Sequence, residues 1–303
     1  MDPAAPLPAD FVQRIHDIYG EAGRAWLAGL PQRLAACAAR WQLTVHPPFP
    51  LSYNYVAPAT RADGTACVLK LRAPEAAAWT ELAALRHYAG HGCAGVREAD
   101  DALGAMLIEA LRPGTRLTTL PDDEATAVAA DVMGQLWRPA PAQHAFPTVE
   151  DWMGGFGRLR ARYGGTGPFP AELVERAEGL WAELHADAQP AVVLHGDLHH
   201  ENILAAERAP WLAIDPQGVV GDPAFEAGAL LRNPLEGVRT WPDLAARTAR
   251  RLDILAERTG LDRRRLAGWA LVGGVLSAWW TVEDHGQFHA EELRLPEALG
   301  TMV

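Results

Sequence analysis

Three oxygen-bearing side chains in the second half of the chain have types and spacings that could support phosphoryl transfer. Asp197 and Asn202 lie five residues apart and follow the apolar run 191–194, and Asp215 follows a second apolar run, 211–214. If both runs are short strands, their ends can converge on one point. One carboxylate could then accept a hydroxyl proton, while the other two groups offer hard oxygen ligands for magnesium. The set therefore predicts a phosphotransferase loop.

Two simpler interpretations compete with this one. Asp and Asn are common in turns because their side chains bond local backbone groups, so the Asp-to-Asn interval alone means little. His195, His199 and His200 fall within six residues and could bind a metal. Against a zinc site, no cysteine is near, and the run has no helical pattern that would place two imidazoles on one face. The combination of strand, H-G-D, Asn, strand and I-D favours phosphoryl transfer.

The loop also resembles those of known enzymes. It has the same Asp-to-Asn interval as the catalytic loop of protein kinases, and Asp215 is a counterpart of their later metal-binding Asp. Residues 194–204 and 213–216 resemble the aminoglycoside phosphotransferases, kinase-like enzymes that phosphorylate small hydroxylated antibiotics. The longer run 201–216 is most similar to the streptomycin 6-kinase branch, which is grouped with the hydroxyurea-resistance kinases. The resemblance extends over most of the chain and also covers residues 21–30, 50–71 and 221–234.

The resemblance implies an ATP- and Mg2+-dependent kinase that transfers the γ-phosphate to a hydroxyl of an aminoglycoside, with the 6-hydroxyl of streptomycin as the expected acceptor. It implies that Asp197 accepts the hydroxyl proton and that Asn202 and Asp215 bind magnesium. His195 is expected to support the loop, since a neutral imidazole beside a glycine turn can satisfy backbone groups. Two alternatives remain open: a kinase of hydroxyurea or another small hydroxylated metabolite, and a nucleotide-binding regulatory protein without turnover.

A lysine on a predicted strand is the candidate for holding the nucleotide. Lys70 ends the run 67–70, which is otherwise apolar, and a lysine in such a run is costly to bury without a partner. It is either an exposed edge residue or the strand lysine that holds the α- and β-phosphates in kinases, and its distance upstream of H-G-D favours the second. Glu81, in the middle of the following helix, is the expected partner. Glu75 is the rival, but the helix dipole explains a glutamate in the first turn.

The loop that positions the nucleotide departs from the protein-kinase pattern, because no G-x-G-x-x-G precedes the strand lysine. By the resemblance, the place of that loop is taken by Ser52, Tyr53 and Asn54. Further along, the run 103–111 is predicted to be a buried strand that ends at a hinge between two lobes, because Arg-Pro-Gly follows it. By the resemblance, the backbone from Glu109 to Leu111 is expected to contact adenine.

The charge balance bears on the partners of the chain. With 27 basic and 38 acidic residues, the net charge is −11, which disfavours nucleic acid and anionic lipid and favours a cationic small-molecule substrate. Solubility alone would also explain this charge. The acidic candidates for binding such a substrate are Asp222, Glu226 and Asp284. Asp222 also suits an N-cap before Pro223, and many relatives carry Asp where this chain has Glu226.

Length and composition suit two lobes, and the resemblance implies an α+β, protein-kinase-like fold. The 303 residues exceed one typical domain, and 49% of them are hydrophobic, enough for a substantial core. Strand-like runs at 51–55 and 67–71 flank a turn, so residues 1–111 are expected to form a nucleotide-binding lobe with N-terminal helices and an antiparallel sheet. Residues 112–303 are expected to form a mostly helical catalytic and substrate-binding lobe. The tryptophans of its predicted helix 266–282 are expected in the core or in a pocket wall.

Cysteine usage and hydropathy bear on the location of the protein. Cys37, Cys67 and Cys93 are too few and too scattered for a disulfide scaffold, so reduced thiols in a cytoplasm are expected. No stretch has the length and apolarity of a transmembrane helix, and the N-terminus lacks the basic start of a signal peptide. The sequence therefore predicts a cytoplasmic protein, and it does not indicate an oligomeric state.

Overall fold

The computed structural model describes residues 7–74 and 79–303. The chain divides into two compact units. The first comprises the described residues of Met1–Gly90 together with Ala94–Arg112, and the second comprises His91–Cys93 together with Pro113–Val303. Within the described ranges, no helix is both long enough and apolar enough to cross a membrane.

The first unit is an antiparallel sheet with a long helix before it. Its elements are α1 (Ala9–Trp41), β1 (Leu43–Val45), β2 (Tyr55–Arg61), β3 (Ala66–Leu71), α2 (Thr80–Tyr88), β4 (Val96–Asp100) and β5 (Ala105–Glu109). The five strands pair antiparallel in the order β1-β2-β3-β5-β4. The predicted antiparallel sheet is therefore present, and the strand lysine lies on its central strand.

One predicted strand boundary is wrong. The strand expected at 51–55 begins at Tyr55, because residues 51–54 form a turn before β2. Phe49 donates its backbone N–H to Val56 O at 3.0 Å, which closes this turn. The helix predicted to follow the strand lysine is described from Thr80, and residues 75–78 lie outside the described part of the chain.

A shared core joins α1 to the sheet. Helix α1 is interrupted at Gly20, whose φ of 54° lies in the left-handed region, and it continues through Pro31. Its apolar residues recur at helical spacing and pack against alternate residues of the strands, as expected for an amphipathic helix on a sheet face. The buried cluster includes Phe11, Ile15, Trp26, Leu30, Cys37, Ala57, Leu69, Leu71 and Leu107.

The second unit is mostly helical and carries two small sheets. Its helices are α3 (Asp122–Leu136), α4 (Val149–Tyr163), α5 (Ala171–Ala186), α6 (Ala227–Leu231), α7 (Leu235–Thr240), α8 (Leu244–Thr259), α9 (Arg263–His285) and α10 (Arg294–Leu299). Its strands are β6 (Pro113–Arg116), β7 (Arg138–Pro139), β8 (Val192–Leu194), β9 (Ile203–Ala206), β10 (Trp211–Ala213) and β11 (Val219–Gly221). The sheets have the orders β10-β9-β6 and β11-β8-β7, and all of their pairs are antiparallel.

The central helix of this unit is α9, which is buried around most of its circumference. Such a helix belongs in the interior of a large domain. Its N-terminus is capped by Asp262, which accepts a hydrogen bond from the backbone N–H of Arg265 at 2.7 Å. The capping box of α4 pairs Thr148 with Asp151 in both directions. Helices α4 and α9 pack against each other.

A buried ion pair joins α8 to α3. Arg251 is 1% exposed and donates to the carboxylate of Asp122, and it also donates to the carbonyl of Asn233 at 2.7 Å. Its neighbour Arg250 pairs with Asp123 at 3.1 Å, but both of those side chains are more than half exposed. The two adjacent pairs therefore differ chiefly in their burial.

We expect Arg251→Ala to lower the free energy of unfolding by on the order of 3 kcal/mol, because it removes the buried guanidinium from Asp122 and from the carbonyl of Asn233 and leaves only Arg247, 3.8 Å from Asp122, as a cationic partner. The matched control is Arg250→Ala, which should cost less than about 1 kcal/mol because solvent screens that pair. Urea denaturation of both variants measures the difference. Equal losses in the two variants would contradict the assignment of the buried pair as the structural one.

Candidate active site

The loop between β8 and β9 carries two of the candidate residues, Asp197 and Asn202. Its turn is made by Gly196, whose φ of 83° favours glycine. A Cβ on Gly196 would lie 2.9 Å from Cη2 of Trp152, so a larger residue would also collide with that ring. The loop ends in a short 3-10 turn over His200–Asn202. The H-G-D sequence therefore provides the one residue that this turn accepts.

The predicted magnesium ligands are brought together by strand pairing. Strands β9 and β10 pair Ile203 with Ala213, and the register continues with a hydrogen bond of 2.9 Å from Ile214 N to the carbonyl of Asn202. Asp215 follows at once and has a positive φ of 57°, a strained conformation of the kind that clusters at functional sites. Asn202 and Asp215 thus stand at the same end of one hairpin.

The amide of Asn202 is oriented by the loop itself. Its Nδ2 donates to the carbonyl of Asp197 at 2.9 Å, which turns Oδ1 to the opposite side of the amide as a potential cation ligand. No cluster of three or more His, Cys, Asp or Glu side chains suited to a metal occurs in residues 7–74 and 79–303. Mg2+ is commonly held by one or two carboxylates together with substrate phosphates. The donor set of Asn202 and Asp215 fits that kind of site.

The charge of Asp197 is set by competing effects. Its side chain is 38% exposed, and Nε2 of His199 lies 3.6 Å from its Oδ2. Burial raises the pKa of Asp197, but the hydrogen bond and charge of His199 and the positive charge of Arg232 outweigh burial, and the net pKa lies below the usual value. Asp197 is therefore ionised at neutral pH and can accept a hydrogen bond from a hydroxyl.

His195 is a structural residue of the loop. It is fully buried, its Nε2 lies 2.8 Å from the carbonyl of Ile214, and its Nδ1 accepts from the backbone N–H of Asp197 at 3.3 Å. Burial lowers its pKa to about 4, so the imidazole is neutral at physiological pH. The expectation that it supports the loop is confirmed, because it connects the Asp197 turn to the strand end before Asp215.

Glu226 holds the same turn from outside the loop. Its carboxylate is 1% exposed and accepts hydrogen bonds from the backbone N–H groups of His195 at 2.7 Å and Gly196 at 2.9 Å. Burial raises its pKa to about 7, even though these hydrogen bonds act in the opposite direction. Both carboxylate oxygens are engaged inside the unit. This placement argues against the substrate contact that the sequence suggested for Glu226.

The two other acidic candidates differ from each other. Asp222 is buried, and its Oδ1 caps the next turn by accepting from Ala224 N at 2.8 Å, which confirms the predicted N-cap. Its Oδ2 accepts from Nε of the buried Arg265 at 2.7 Å. Asp222 is therefore a structural residue and not placed to meet a substrate. Asp284 is exposed near the end of α9, beside Glu283.

Arg232 is a site residue that the sequence did not reveal. It follows α6, and its positive charge acts on Asp197. Two glycines make room for its guanidinium, since a Cβ on Gly228 would lie 3.2 Å from Nη1 and a Cβ on Gly273 would lie 3.7 Å from it. No sequence signal could have identified it, because the two glycines and the carboxylate come from three separate segments.

In the first unit, the predicted partner of the strand lysine is confirmed. Nζ of Lys70 lies 2.6 Å from Oε1 of Glu81, and the lysine is 4% exposed. A lysine this deeply buried requires such a carboxylate. The rival partner, Glu75, lies outside the described residues.

The other nucleotide candidates of this unit are placed as follows. Asn54 accepts a hydrogen bond from the backbone N–H of Ala73 at 2.9 Å and so fixes the chain just beyond β3. Ser52 and Tyr53 are exposed in the turn before β2. Glu109 ends β5 and bonds Gly95 twice, through its N–H at 2.8 Å and through its carboxylate at 3.0 Å. Leu111 follows β5 and is half-buried.

The pKa of Glu226 predicts a pH-dependent stability. Because its pKa is about 7 in the folded chain against an ordinary 4.5, the folded state binds this proton more tightly between those values. The contribution to the free energy of unfolding is largest at low pH and is lost as the pH rises through this window, by about 3 kcal/mol in total.

Urea denaturation of wild type and Glu226→Gln across this pH window measures that contribution. We expect the stability difference between the two proteins to change by the stated amount, with wild type favoured most at the acidic end. Glu201→Gln changes an exposed glutamate on the catalytic loop itself; it is the matched control and should track wild type. Parallel pH profiles for wild type and Glu226→Gln would show that Glu226 does not carry this proton.

Comparison with known proteins identifies the family. Residues 40–285 match the model of the aminoglycoside/hydroxyurea antibiotic resistance kinases. The chain is 37% identical over 279 residues to a streptomycin 6-kinase of Streptomyces griseus, covering 88% of this chain and 87% of that protein. It is 35% identical over 298 residues to a hydroxyurea phosphotransferase of Kitasatospora aureofaciens, covering 96% of this chain and 83% of that protein.

Solved structures show the same fold at low sequence identity. A choline/ethanolamine kinase family protein from Mesorhizobium loti superposes with a TM-score of 0.64 at 18% identity, covering 92% of each chain. A thermostable mutant of the aminoglycoside phosphotransferase APH(4)-Ia, in complex with ADP and hygromycin B, superposes with a TM-score of 0.59 at 14% identity, covering 88% of this chain and 97% of that one. The predicted α+β, protein-kinase-like fold is confirmed. The chain is a phosphotransferase that belongs to the aminoglycoside/hydroxyurea antibiotic resistance kinase family.

Proposed function

We propose that this enzyme transfers the γ-phosphate of ATP to the 6-hydroxyl of streptomycin. The observation that carries the chemistry is the loop on which an ionised, half-exposed Asp197 is followed by Asn202, with Asp215 at the same hairpin end. The choice of acceptor is supported by 37% identity to a streptomycin 6-kinase over most of both chains. The net charge of −11 suits a substrate that carries guanidinium groups.

Asp197 orients the acceptor hydroxyl and takes its proton. As the hydroxyl oxygen forms a bond to the γ-phosphorus, the bond from that phosphorus to the bridging oxygen breaks, and ADP leaves with the electron pair. The low pKa of Asp197 makes it a weak base, so the proton moves late, when the oxygen has lost most of its electron density. Its main contribution is therefore to align the hydroxyl for attack.

Asn202 and Asp215 would hold magnesium through one amide and one carboxylate oxygen. The metal supplies neutralisation of the charge that develops on the phosphates. Lys70, positioned by Glu81 at 2.6 Å, is proposed to bind the α- and β-phosphates. In this proposal the nucleotide-binding lobe is residues 1–111, where the turn at 52–54 and the backbone from Glu109 to Leu111 also contact the nucleotide. The catalytic and substrate-binding lobe is residues 112–303.

The proposal includes the location and partners of the enzyme. Cys37, Cys67 and Cys93 are buried thiols, which suits a reducing cytoplasm. The acidic surface disfavours binding to nucleic acid or to anionic membranes. A small cationic molecule is the proposed partner.

A second acceptor is supported by a separate observation. The hydroxyurea phosphotransferase of K. aureofaciens matches 96% of this chain at 35% identity, nearly the same level as the streptomycin 6-kinase. Hydroxyurea is small and uncharged, so negative charge near the site would not help to bind it. The two acceptors are therefore distinguished by assaying both with the same enzyme preparation.

We expect Mg2+-ATP-dependent phosphorylation of streptomycin, and NMR of the product should place the phosphate on the 6-hydroxyl. Asp197→Ala should lower kcat at least about a hundredfold while ATP still binds, because the hydroxyl loses its proton acceptor and its alignment. Glu172→Ala, which removes an exposed carboxylate in the first turn of α5, controls for general loss of charge and should retain kcat. A coupled ADP assay measures each rate. Absence of streptomycin turnover by a preparation that phosphorylates hydroxyurea would overturn the choice of acceptor.

Arg232 should shift the pH dependence of the reaction. Its positive charge helps to lower the pKa of Asp197, so Arg232→Met should raise that pKa and move the acid limb of the kcat profile to higher pH. At the acid end we expect a several-fold loss of kcat, with a smaller loss under alkaline conditions. Arg232→Lys keeps the charge and should keep the limb close to its wild-type position. If the Met and Lys variants have the same profile, the effect of Arg232 on Asp197 is not electrostatic.

A further inference from the structure

An aromatic corner stands beside the loop that carries Asp197. It consists of Trp152 from α4 and Trp280 from α9, with Phe225 behind the first ring. We infer that the two indoles bind the cationic group of the acceptor, a guanidinium or ammonium, against their ring faces. This inference rests on the proposed function for the identity of the acceptor, and it assigns the part of the site that selects a charged substrate over a neutral one.

The two indoles form a corner and are not stacked within the core. Their ring centroids are 5.5 Å apart and their planes meet at 89°. The ring of Phe225 packs against Trp152 at 5.9 Å and fixes its orientation. Trp152 and Trp280 are half-buried, whereas Trp269 and Trp279, which α9 also carries, are 4% and 1% exposed. Part of the aromatic surface of Trp152 and Trp280 is therefore accessible and is not packed in the core.

The corner is adjacent to the reacting group. Cη2 of Trp152 would lie 2.9 Å from a Cβ on Gly196, and Gly196 is the neighbour of Asp197 in the chain. A second glycine, Gly155, lets the ring of Trp280 on α9 approach α4 closely. A Cβ on Gly155 would lie 2.5 Å from Leu276 and 3.5 Å from Nε1 of Trp280. A molecule whose cation rests on Trp152 can thus place a nearby hydroxyl at the carboxylate of Asp197.

The electrostatics of the corner favour a cation. The face of an indole ring carries negative potential and attracts guanidinium and ammonium groups. Asp197 is ionised beside it. One turn after Trp280 along α9, Glu283 is neutralised by its pair with Arg158 at 2.6 and 2.9 Å, so the negative charge at this end of the helix comes from the exposed Asp284. An uncharged acceptor would gain little from these groups.

Binding is tested without catalysis by 19F NMR of the full chain labelled with 5-fluorotryptophan. The resonances are assigned from Trp152→Phe, Trp280→Phe and Trp181→Phe, the last being a half-buried tryptophan on α5 that serves as the control. On titration with streptomycin in the absence of nucleotide, the Trp152 and Trp280 resonances should both shift, and the two titrations should give the same dissociation constant. The chemical shift of the Trp181 resonance should not change. Hydroxyurea should shift none of them.

Kinetics give the second readout. Trp152→Leu should raise KM for streptomycin about three- to thirtyfold, with kcat within about twofold of wild type. Trp152→Phe keeps an aromatic ring, so its KM should lie between those of wild type and of the Leu variant. Trp181→Leu should match wild type. A Trp152→Leu variant that loses kcat, or no shift of the two resonances, overturns the inference. Shifts without any phosphorylation of streptomycin would support the cation site and reject the proposed function, so the two failures are distinguishable.

Discussion

The carboxylate of Glu226 is the constraint on which the catalytic loop depends. The turn at Gly196 directs two consecutive backbone N–H groups, those of His195 and Gly196, into the protein interior, where unpaired donors are costly. Glu226 accepts both of them at 2.7 and 2.9 Å. Its position just before α6 couples the loop to the helical core. Asp197 follows Gly196 directly. The hydrogen bonds to these two N–H groups therefore also fix the backbone position from which the catalytic carboxylate extends.

A second connection runs through His195. The neutral imidazole bonds the carbonyl of Ile214 at 2.8 Å, and the N–H of Ile214 bonds the carbonyl of Asn202 at 2.9 Å. The three chemically active residues are therefore tied to one another by backbone contacts and do not rely on flexible surface side chains. Preorganisation of this kind is what phosphoryl transfer requires of the protein, since positioning and electrostatics provide most of the catalysis.

Acidic residues of the second unit divide by burial into structural and chemical groups. Glu226 and Asp222 are buried, and their oxygens are engaged by backbone N–H groups and by Arg265. Asp197 is half-exposed and lies near a cation, which keeps it ionised. Asp284 is exposed and free to act on a solvent-borne cation through its charge. Net charge alone does not separate these groups, because the carboxylates look alike in the sequence.

The parts of the structure that depend on local patterns were predictable from the sequence. The Asp197 loop follows from an apolar run and a fixed interval, and the strand-like run 67–71 lies within β3. The pairing of Lys70 with Glu81 follows from the cost of burying a lysine. What could not be predicted are contacts between distant segments. The bonds from Glu226 to His195 span 31 residues, and the approach of Trp152 to Gly196 leaves no periodic signal.

Amide hydrogen exchange of His195 and Gly196 tests most directly whether a buried carboxylate fixes the catalytic turn. The measurement uses the wild-type chain at neutral pH, with amides in the interior of α9 as the protected reference and those of Ala188 and Gln189, in the exposed turn after α5, as the unprotected one. If Glu226 accepts both N–H groups in solution, the two amides should exchange nearly as slowly as those of α9. Exchange at the rate of the exposed turn would contradict this, because the loop would then be held by something other than Glu226.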